Sequence, residues 1–413
     1  MDAFSETASL DEAQLLSNPP PNFGYLLRTR REEAGLTIAA LAAKAGLSRN
    51  TIVNLEQGLT TPSPQSLRRL ASIKALRLLS VVNPERQQIG SWCTFAYDPL
   101  AMTRLMEAAL NGPGGQVDQT YLYLDPKSAV DWHALSNNES YTLSYRSQVP
   151  LIKIAERIAK EAKGIGIDID GLGCGDGKTE TELILRLAER TTSDLQCYLL
   201  DISHVLLAEA YRTAINALAP KGIPVHPVHG DFHDIARNPM LYAHPETIQR
   251  LRVFLMMGGT FGNIRDEPWF FRDLAACAAP GDLAVLDVGT VRAPVDRPDQ
   301  ISQLDPAIKA KKPADIYHNF LSGPLYRHIQ GCKSVRLRTE LSVHCPIPGS
   351  YSIENWANVE KDYEPDRQFL VWRVKRYDVT KLSECLLSLG WKTLQSWQYG
   401  PDKSAAVILV QRQ

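Results

Sequence analysis

Residues 167–179 read Ile-Asp-Ile-Asp-Gly-Leu-Gly-Cys-Gly-Asp-Gly-Lys-Thr, an apolar run of strand type that passes through a glycine-rich turn into a helix-forming segment ending near residue 188. Glycine occupies the alternate positions 171, 173, 175 and 177. Glycine permits positive φ and lets the backbone approach a ligand closely. Strand, turn and helix in this order are typical of the first half of a βαβ nucleotide-binding unit, although any α/β protein can use glycine in a tight turn.

Four more apolar runs follow this turn, and each leads into acidic, glycine or other polar residues. The run 195–200 ends on Asp201, at about the chain separation expected of a carboxylate that binds ribose hydroxyls. The next runs lead to Gly230-Asp231-Phe232, where an acid lies beside an aromatic ring, and to Gly-Gly-Thr-Phe-Gly-Asn at 258–263; the last run is 283–288. Helical stretches at 205–218 and 269–278 alternate with the runs, which predicts a mostly parallel, doubly wound sheet with its ligand at the carboxyl ends of the strands.

Composition excludes several classes of protein. The net charge of −1 over 413 residues gives no overall attraction to nucleic acid or membrane. Seven cysteines without a C-x-x-C pair, no apolar run of 18 residues and a polar start predict free thiols and a cytoplasmic protein. His226, His229 and His233 have the spacing of a helical metal site, but the prolines and glycine between them argue against a helix, so we expect no metal.

The first hundred residues have a different character. Residues 1–21 predict a flexible leader, and residues 22–79 a small helical domain with helices at 38–45, 49–56 and from 65 to about 79. Gly46-Leu47-Ser48 separates the first two, as in a helix-turn-helix. Nine Lys/Arg against three acids between residues 22 and 77 suit phosphate contact.

This segment resembles the Cro/repressor-type helix-turn-helix domains in Leu-Arg-Thr-Arg-Arg at 27–31, Ala-Gly-Leu-Thr at 34–37, Gly-Leu-Ser at 46–48 and Leu-Glu-Gln-Gly at 55–58. The resemblance implies that Arg49, Asn50 and Asn54 lie on the DNA-recognition helix and that the protein binds DNA as a homodimer. Ile38 replaces a glutamine that usually contacts DNA in this family. The alternative is a helical module kept for packing or dimerisation.

Residues 80–120 predict a connecting segment with a helix at 99–110 and a hinge at 111–115. Residues 121–413 then form the large domain. Its tyrosines at 121, 123, 141 and 145 either cover a ligand or are ordinary core residues. After a loop-and-helix excursion at 292–331, two β-type segments, 367–377 and 391–410, flank a helix at 380–388.

The large domain resembles the histidine-specific, S-adenosylmethionine (SAM)-dependent methyltransferases of ergothioneine biosynthesis. The matching stretches are Tyr-Leu-Asp-Pro-Lys-Ser at 123–128, Gly-Leu-Gly-Cys-Gly at 171–175 with Lys178-Thr179, Leu-Asp-Ile-Ser at 200–203, Gly-Asp-Phe at 230–232, and Phe-Leu at 254–255 through Gly-Gly-Thr-Phe-Gly-Asn at 258–263. The resemblance implies a class I methyltransferase fold with SAM as cosubstrate, Asp201 on the ribose, and Asp231 and Phe232 on the adenine. The other residues that it assigns to SAM are Gly171, Gly173, Gly175, Lys178, Gly258, Thr260 and Asn263.

Two departures concern the acid before the glycine loop and the acceptor site. The family has an acid where Gly171 stands, and it has Thr-Glu-Ile-Ser, which holds the imidazole of histidine, where this chain has Val371-Trp372-Arg373-Val374. The carboxylate has become an indole ring, so we expect a small-molecule acceptor other than histidine. One alternative is a SAM-cyclising lyase of the azetidine-2-carboxylate synthase type, with Tyr141, Tyr317 and Trp372 around the sulfonium. The other is a SAM-responsive, DNA-binding regulator.

Overall fold

A computed structural model describes residues 23–57, 59–60, 66, 69–70, 73, 93–96, 99–112, 114–137, 149–237, 250–291, 314–361, 365–400 and 403–413. The chain divides into two compact units, Met1–Thr94 and Phe95–Gln413. The predicted leader, most of the predicted helix 65–79, and Tyr141 and Tyr145 lie outside the described residues. No helix among the described residues has the length and apolar character needed to cross a membrane.

The first unit contains helices α1 (Phe23–Glu33), α2 (Ile38–Ala45) and α3 (Arg49–Glu56). The predicted bounds of α2 and α3 are confirmed. Thr37 and Ser48 cap α2 and α3 by accepting backbone N–H groups, and Gly46 turns the chain between them at φ 61°. The helices enclose a core of Leu27, Leu41, Ala42, Ala45, Ile52, Leu55 and Leu70.

A bidentate ion pair fastens α1 to α3. Arg31, 8% exposed, donates from Nε and Nη2 to the two carboxylate oxygens of Glu56, at 2.6 and 3.0 Å. Its Nη1 donates to the carbonyl of Leu36, just before α2. One guanidinium therefore connects all three helical segments, and the exposed side of α3 takes no part in this pair.

The second unit is built on a central parallel sheet of five strands. Its spatial order is β5, β4, β3, β6 and β7, formed by β3 (Gly166–Leu172), β4 (Leu195–Asp201), β5 (Val225–His229), β6 (Arg250–Met256) and β7 (Leu283–Thr290). The strands are almost continuously buried, as in parallel sheets that are covered on both faces. A short strand, β1 (Thr94–Phe95), lies at the boundary between the two units, and Ala96 donates its N–H to the carbonyl of His229. The predicted doubly wound sheet is confirmed.

The C-terminal strands continue this sheet. β12 (Ala405–Arg412) pairs antiparallel with β7, and β11 (Trp391–Tyr399) pairs antiparallel with β12. The sequence predicted a single β segment at 391–410. That prediction was wrong, because β11 ends at Tyr399, β12 begins at Ala405, and the two strands are antiparallel partners.

Helices and single 3₁₀ turns connect the strands. The helices of the second unit are α4 (Pro99–Leu110), α5 (Tyr121–Leu124), α6 (Pro126–Ser136), α7 (Leu151–Ala162), α8 (Lys178–Ala188), α9 (His204–Leu218), α10 (Glu267–Cys277), α11 (Ala314–His328) and α12 (Val379–Ser388). The 3₁₀ segments are Ala219–Lys221, Phe232–Arg237 and Thr260–Asn263. Proline in the first turn and an Asp266 cap begin α10, close to the position predicted.

A second, antiparallel group of strands extends from the carboxyl end of β7. It contains β8 (Cys332–Ser342), β9 (Tyr351–Lys361) and β10 (Arg367–Tyr377), and only the last two residues of β10 pair with β7. The short strand β2 (Gly115–Gln116) pairs with the start of β10. These strands pack under α11 and α6 around a core that includes Leu135, Phe320, Leu321, Phe369 and Trp372. This group of strands therefore lies beyond the carboxyl ends of the parallel strands, the end of the sheet at which the glycine turn is found.

Candidate active site

The glycine turn lies between β3 and α8 and has the backbone that its sequence requires. Gly173, Gly175 and Gly177 have φ of 67°, 55° and 67°, in the left-handed region that favours glycine. A Cβ at Gly173 would lie 2.9 Å from Cγ2 of Thr260 and 3.1 Å from the ring of Phe232, whereas a Cβ at Gly175 would meet open space. The turn therefore meets the Thr260 and Phe232 segments closely and leaves room for a ligand beside Gly175.

Asp201 ends β4 and holds this turn. Its Oδ2 accepts the backbone N–H of Gly175 at 2.9 Å, and its Oδ1 accepts that of Ser203 at 2.8 Å. Burial raises the pKa of Asp201 to about 6, although the hydrogen bonds from Ser203 and Gly175 work in the opposite direction. Each carboxylate oxygen keeps a further lone pair for a ligand hydroxyl.

Asp231 and Phe232 follow β5 and are linked to a histidine. Asp231 Oδ1 accepts from the backbone N–H of His233 at 2.9 Å and lies 2.8 Å from its Nδ1. The rings of Phe232 and His233 stack with centroids 4.3 Å apart. Burial alone would lower the pKa of His233, but the hydrogen bond and charge of Asp231 outweigh it and raise the pKa. Sequence reasoning considered His233 only as a metal ligand and missed this contact.

The Gly-Gly-Thr-Phe-Gly-Asn turn follows β6 and is anchored at both ends. Gly258 donates its N–H to Asp287 Oδ2 at 2.9 Å, and the Thr260 hydroxyl donates to the carbonyls of Met257 and Gly173 at 2.9 and 3.4 Å. Just after the turn, the carbonyl of Ile264 accepts from Lys375 Nζ at 2.7 Å. Sequence reasoning missed Asp287 and Lys375; an acid near the carboxyl end of a strand was the available signal for Asp287.

Two predicted cofactor residues have other surroundings. Gly171 lies inside β3 rather than in the turn. The ammonium of Lys178 lies 3.3 Å from Asp176 Oδ2 and 2.9 Å from the side-chain oxygen of Asn137, at the end of α6, and its side chain is half exposed. Lys178 therefore joins the helix after the glycine turn to the end of α6.

A cavity of about 570 Å³ opens beside these segments. Its wall is formed by Gln116, Val117, Asp118, Gln119, His233, Asp234, Asn263, Arg265, Asp266, Trp269, Phe270, Asp273, Leu370, Val371, Trp372 and Arg373. Four aspartates face two arginines, and one of these, Arg373, pairs with Glu354 at 2.9 Å. The wall therefore carries an excess of carboxylates, beside the aromatic rings of Trp269, Phe270 and Trp372.

The structure brings two of the three predicted catalytic residues together. Trp372 is 6% exposed, and its ring lies 5.8 Å from that of Tyr317, centroid to centroid. The Tyr317 hydroxyl donates to Asn355 Oδ1 at 2.8 Å. Trp132 and Phe320 complete the aromatic group, with centroids 6.4 and 6.2 Å from Trp372. Tyr141, the third predicted residue, lies outside the described residues.

The residues predicted to contact DNA lie on α3. Arg49 and Asn50 are exposed at the start of α3, and Asn54 is partly exposed on the same helix. Within the described part of the chain, no group of three His, Cys, Asp or Glu side chains is arranged to hold a metal.

Comparison with known proteins gives a consistent result for each unit. Residues 22–76 match the model of a helix-turn-helix domain family, and residues 103–296 match that of the histidine-specific, SAM-dependent methyltransferases. No curated protein matches the chain.

The chain is also similar to solved methyltransferase structures, among them three with low sequence identities. A SAM-dependent methyltransferase of Clostridium acetobutylicum is 13% identical, with 63% of this chain and 89% of that one covered and a TM-score of 0.33. Magnesium protoporphyrin IX methyltransferase of Synechocystis is 11% identical, with 70% and 97% covered and a TM-score of 0.39. The 1,6-didemethyltoxoflavin-N1-methyltransferase of Burkholderia thailandensis is 9% identical, with 77% and 91% covered and a TM-score of 0.35.

The family match, the strand order and the glycine turn agree with one another. The turn, the acid at the end of β4 and the Gly258–Asn263 segment meet at the carboxyl edge of the sheet, and they suit SAM as cosubstrate. The chain thus carries a domain at residues 103–296 that matches the histidine-specific, SAM-dependent methyltransferases, together with a helix-turn-helix domain at residues 22–76.

Proposed function

We propose that the chain transfers the methyl group of SAM to a small-molecule acceptor other than histidine. The observation that carries this proposal is Trp372, which lines the cavity from a buried position. By the sequence resemblance, this residue stands where the family has an imidazole-binding glutamate. An indole ring offers no carboxylate to an imidazole N–H, and it occupies the space that a polar acceptor would need.

The acid on the neighbouring strand does not replace the missing glutamate. Glu354 of β9 accepts hydrogen bonds from Ser352, Trp356 and Arg373, at 3.1, 3.2 and 3.0 Å. Its carboxylate is already bound by its own sheet, so an imidazolium would have to compete with Arg373. This supports an acceptor other than histidine.

The chemistry asks mainly for positioning. A lone pair of the acceptor forms a bond to the methyl carbon while the carbon–sulfur bond breaks, S-adenosylhomocysteine leaves, and the acceptor loses its proton to a base. Holding two reactants in line can contribute about 7–11 kcal/mol. The chain's part is to fix the glycine turn through Asp201 and the acceptor wall through the packed ring of Trp372.

A second candidate is the SAM-cyclising lyase, in which the amino group of SAM attacks its own γ-carbon and methylthioadenosine leaves. The cluster of Trp132, Tyr317, Phe320 and Trp372 favours it, because aromatic faces stabilise a cation. A third candidate is a SAM-responsive DNA-binding regulator, which the helix-turn-helix domain supports.

Products formed from SAM distinguish the three. The purified chain is incubated with SAM alone and with a panel of small acceptors that includes histidine, and methylthioadenosine and S-adenosylhomocysteine are quantified. We expect S-adenosylhomocysteine only when a non-histidine acceptor is present. Enzymatic methylthioadenosine from SAM alone would favour the lyase, and histidine methylation would refute the proposed acceptor class. Neither product, with SAM still bound, would favour the regulator.

A further inference from the structure

His233 is the second residue of the 3₁₀ segment that follows β5, and it lies on the wall of the cavity. Its side chain is 30% exposed. Trp372 lies on the same wall, and a cavity of about 570 Å³ has the size of a site for one small molecule. One bound acceptor can therefore contact both side chains.

The ring of His233 is oriented by Asp231. Asp231 Oδ1 lies 2.8 Å from Nδ1 of the imidazole and accepts the backbone N–H of the same residue at 2.9 Å. An ionised carboxylate accepts hydrogen bonds and donates none, so the neutral ring carries its proton on Nδ1 and its lone pair on Nε2. Phe232 stacks on the ring, and Phe270 of α10 lies edge-on to it at 6.2 Å between centroids. Among the described residues, none forms a hydrogen bond with Nε2.

Asp231 can serve the histidine and the cofactor together. Both contacts from His233 use Oδ1, so Oδ2 keeps its lone pairs for the adenine that the family resemblance assigns to Asp231. A base that is itself oriented by a third group is the arrangement by which proteins activate a nucleophile. The Asp231–His233 pair has this arrangement, with Nε2 as the basic atom.

The charges around the ring make it a stronger base. Asp231 and Asp234 act from its own segment and Asp118 acts from the segment after β2, whereas the contact from α10 is the uncharged ring of Phe270. Burial alone would lower the pKa of His233, but the hydrogen bond to Asp231 and these three charges outweigh it and raise the pKa. The imidazole therefore holds a proton more firmly than a free histidine does.

We propose that His233 is the general base of methyl transfer, with Nε2 taking the proton from the nucleophilic N–H or O–H group of the acceptor. The lone pair that this releases forms the bond to the methyl carbon. The carbon–sulfur bond breaks with its electrons to sulfur, and S-adenosylhomocysteine leaves. The imidazolium then returns its proton to water. This inference rests on methyl transfer as the proposed function and not on the identity of the acceptor.

The position of the ring proton is tested without any acceptor. The full chain, with ¹⁵N-labelled histidines and saturated with S-adenosylhomocysteine, is titrated by NMR, and the His233 signals are assigned by their loss in His233→Asn. We expect the neutral ring to carry its proton on Nδ1. A neutral ring with its proton on Nε2, or a ring that stays protonated to about pH 9, would overturn the proposal, because Nε2 would have no lone pair to offer.

Turnover is measured with the acceptor that the product panel identifies. His233→Asn can still donate to Asp231 but has no base, so we expect kcat to fall at least about 100-fold. The KM for the acceptor and the affinity for S-adenosylhomocysteine should stay within about twofold. In the wild type, kcat/KM should fall as the pH drops through the pKa measured by NMR, because the imidazole becomes protonated. The variant should lack this limb, and added imidazole should restore part of its rate.

The matched control is His344→Asn, which replaces an exposed histidine just after β8 and should change none of these values. Product formed by His233→Asn at the wild-type rate would refute His233 as the base while methyl transfer stood. Weaker binding of S-adenosylhomocysteine at unchanged kcat would assign the ring to the cofactor instead. If no acceptor yielded S-adenosylhomocysteine, methyl transfer itself would be refuted, and the proposal would fall with it.

Discussion

The ammonium of Lys375 lies 2.6 Å from a carboxylate oxygen of Glu267, and both side chains are almost completely buried. Tyr377 donates its hydroxyl to the same oxygen, and Lys375 also donates to the carbonyls of Ile264 and Arg265. Lys375 and Tyr377 belong to β10, three and five residues after Trp372. The network therefore fastens the segment after the Gly258–Asn263 turn to the strand that forms the acceptor wall.

Replacing one member of this ion pair should be much worse than replacing both. We expect Lys375→Met to cost about 3–5 kcal/mol in the free energy of unfolding, because it leaves Glu267 charged and buried. The double variant Lys375→Met/Glu267→Leu should recover a large part of that loss. Urea unfolding of the wild type and the three variants measures it; a double variant as unstable as the sum of the single ones would contradict this account.

The raised pKa of Asp201 predicts a pH dependence of cofactor affinity. The fold favours the protonated carboxyl, so Asp201 contributes stability at low pH that is lost as pH rises through about 6. Ribose hydroxyls, in contrast, donate to the ionised form. Affinity for S-adenosylhomocysteine should therefore fall by up to about tenfold per pH unit below pH 6.

Calorimetry at pH 5, 6, 7 and 8 measures this slope. Asp201→Asn should bind weakly and with little change over the same range, because it removes the titrating group. His233, whose pKa is also raised, provides the competing explanation. If Asp201→Asn retained the wild-type slope, the titration would belong to another group, and His233→Asn would then be the variant to examine.

Trp372 should control the acceptor rather than the cofactor. Trp372→Phe keeps an aromatic ring beside Tyr317 but replaces the indole by a smaller ring in the cavity wall. Because the contact with the acceptor is reduced, we expect the KM for the acceptor to rise while affinity for S-adenosylhomocysteine is unchanged. Trp397→Phe in β11, outside the cavity wall, is the matched control. In a SAM-cyclising enzyme, Trp372→Ala would instead lower turnover of SAM alone by about 30-fold, through loss of about 2 kcal/mol of cation–π stabilisation. If Trp372→Phe instead lost affinity for S-adenosylhomocysteine, the ring would contact the cofactor and not the acceptor.

The sequence predicted those parts of the fold whose structure depends on residues close together in the chain. Glycines at 173, 175 and 177, the apolar parallel strands and the Gly46-Leu47-Ser48 turn between α2 and α3 are local patterns, and all of them appear in the structure. The antiparallel strands β8 and β9 were not predicted. Both mix polar with apolar residues, and the partners in their pairing lie ten or more residues apart in the chain, so the sequence of one strand does not identify the pair.

The anchors of the site were missed for a related reason. Lys375 lies in a strand among Arg373 and Arg376, and by its type it suits a solvated edge. Its burial depends on Glu267, which stands 108 residues earlier in the chain. A charge pair across that separation cannot be inferred from one sequence, whereas Asp201 could be, because its distance from the glycine turn is set by one βαβ unit.

Asp125, in the stretch that resembles the methyltransferase family, has a structural role in this molecule. It caps α6 through the N–H of Ser128 and receives Arg327 and His328 from the end of α11. Burial would raise the pKa of Asp125, but these hydrogen bonds and the charge of Arg327 lower it, so its stabilising contribution is present at neutral pH and lost on acidification. Asp125→Asn should lower the melting temperature at pH 7 more than at pH 4. A selective loss of cofactor affinity, without a change in melting temperature, would instead assign Asp125 to the ligand.

The last prediction concerns the helix-turn-helix domain. If it binds DNA, Arg49 and Asn50 contact the duplex from the exposed start of α3, and a dimer reads two half-sites about 34 Å apart. Duplexes selected from random sequence with the full chain should bind with an affinity that falls steeply with salt. Arg49→Ala should weaken binding and reduce the salt slope, because one phosphate contact is lost, and Asn50→Ala should relax the sequence preference. Arg28, an exposed arginine of α1 that pairs with Glu32, provides the control for net charge in the variant Arg28→Ala.

Sedimentation of the full chain with and without the selected duplex measures whether the chain forms a dimer. If no duplex is enriched and the chain sediments as a monomer, the helix-turn-helix domain has a packing role only. That result would refute the hypothesis of a SAM-responsive DNA-binding regulator.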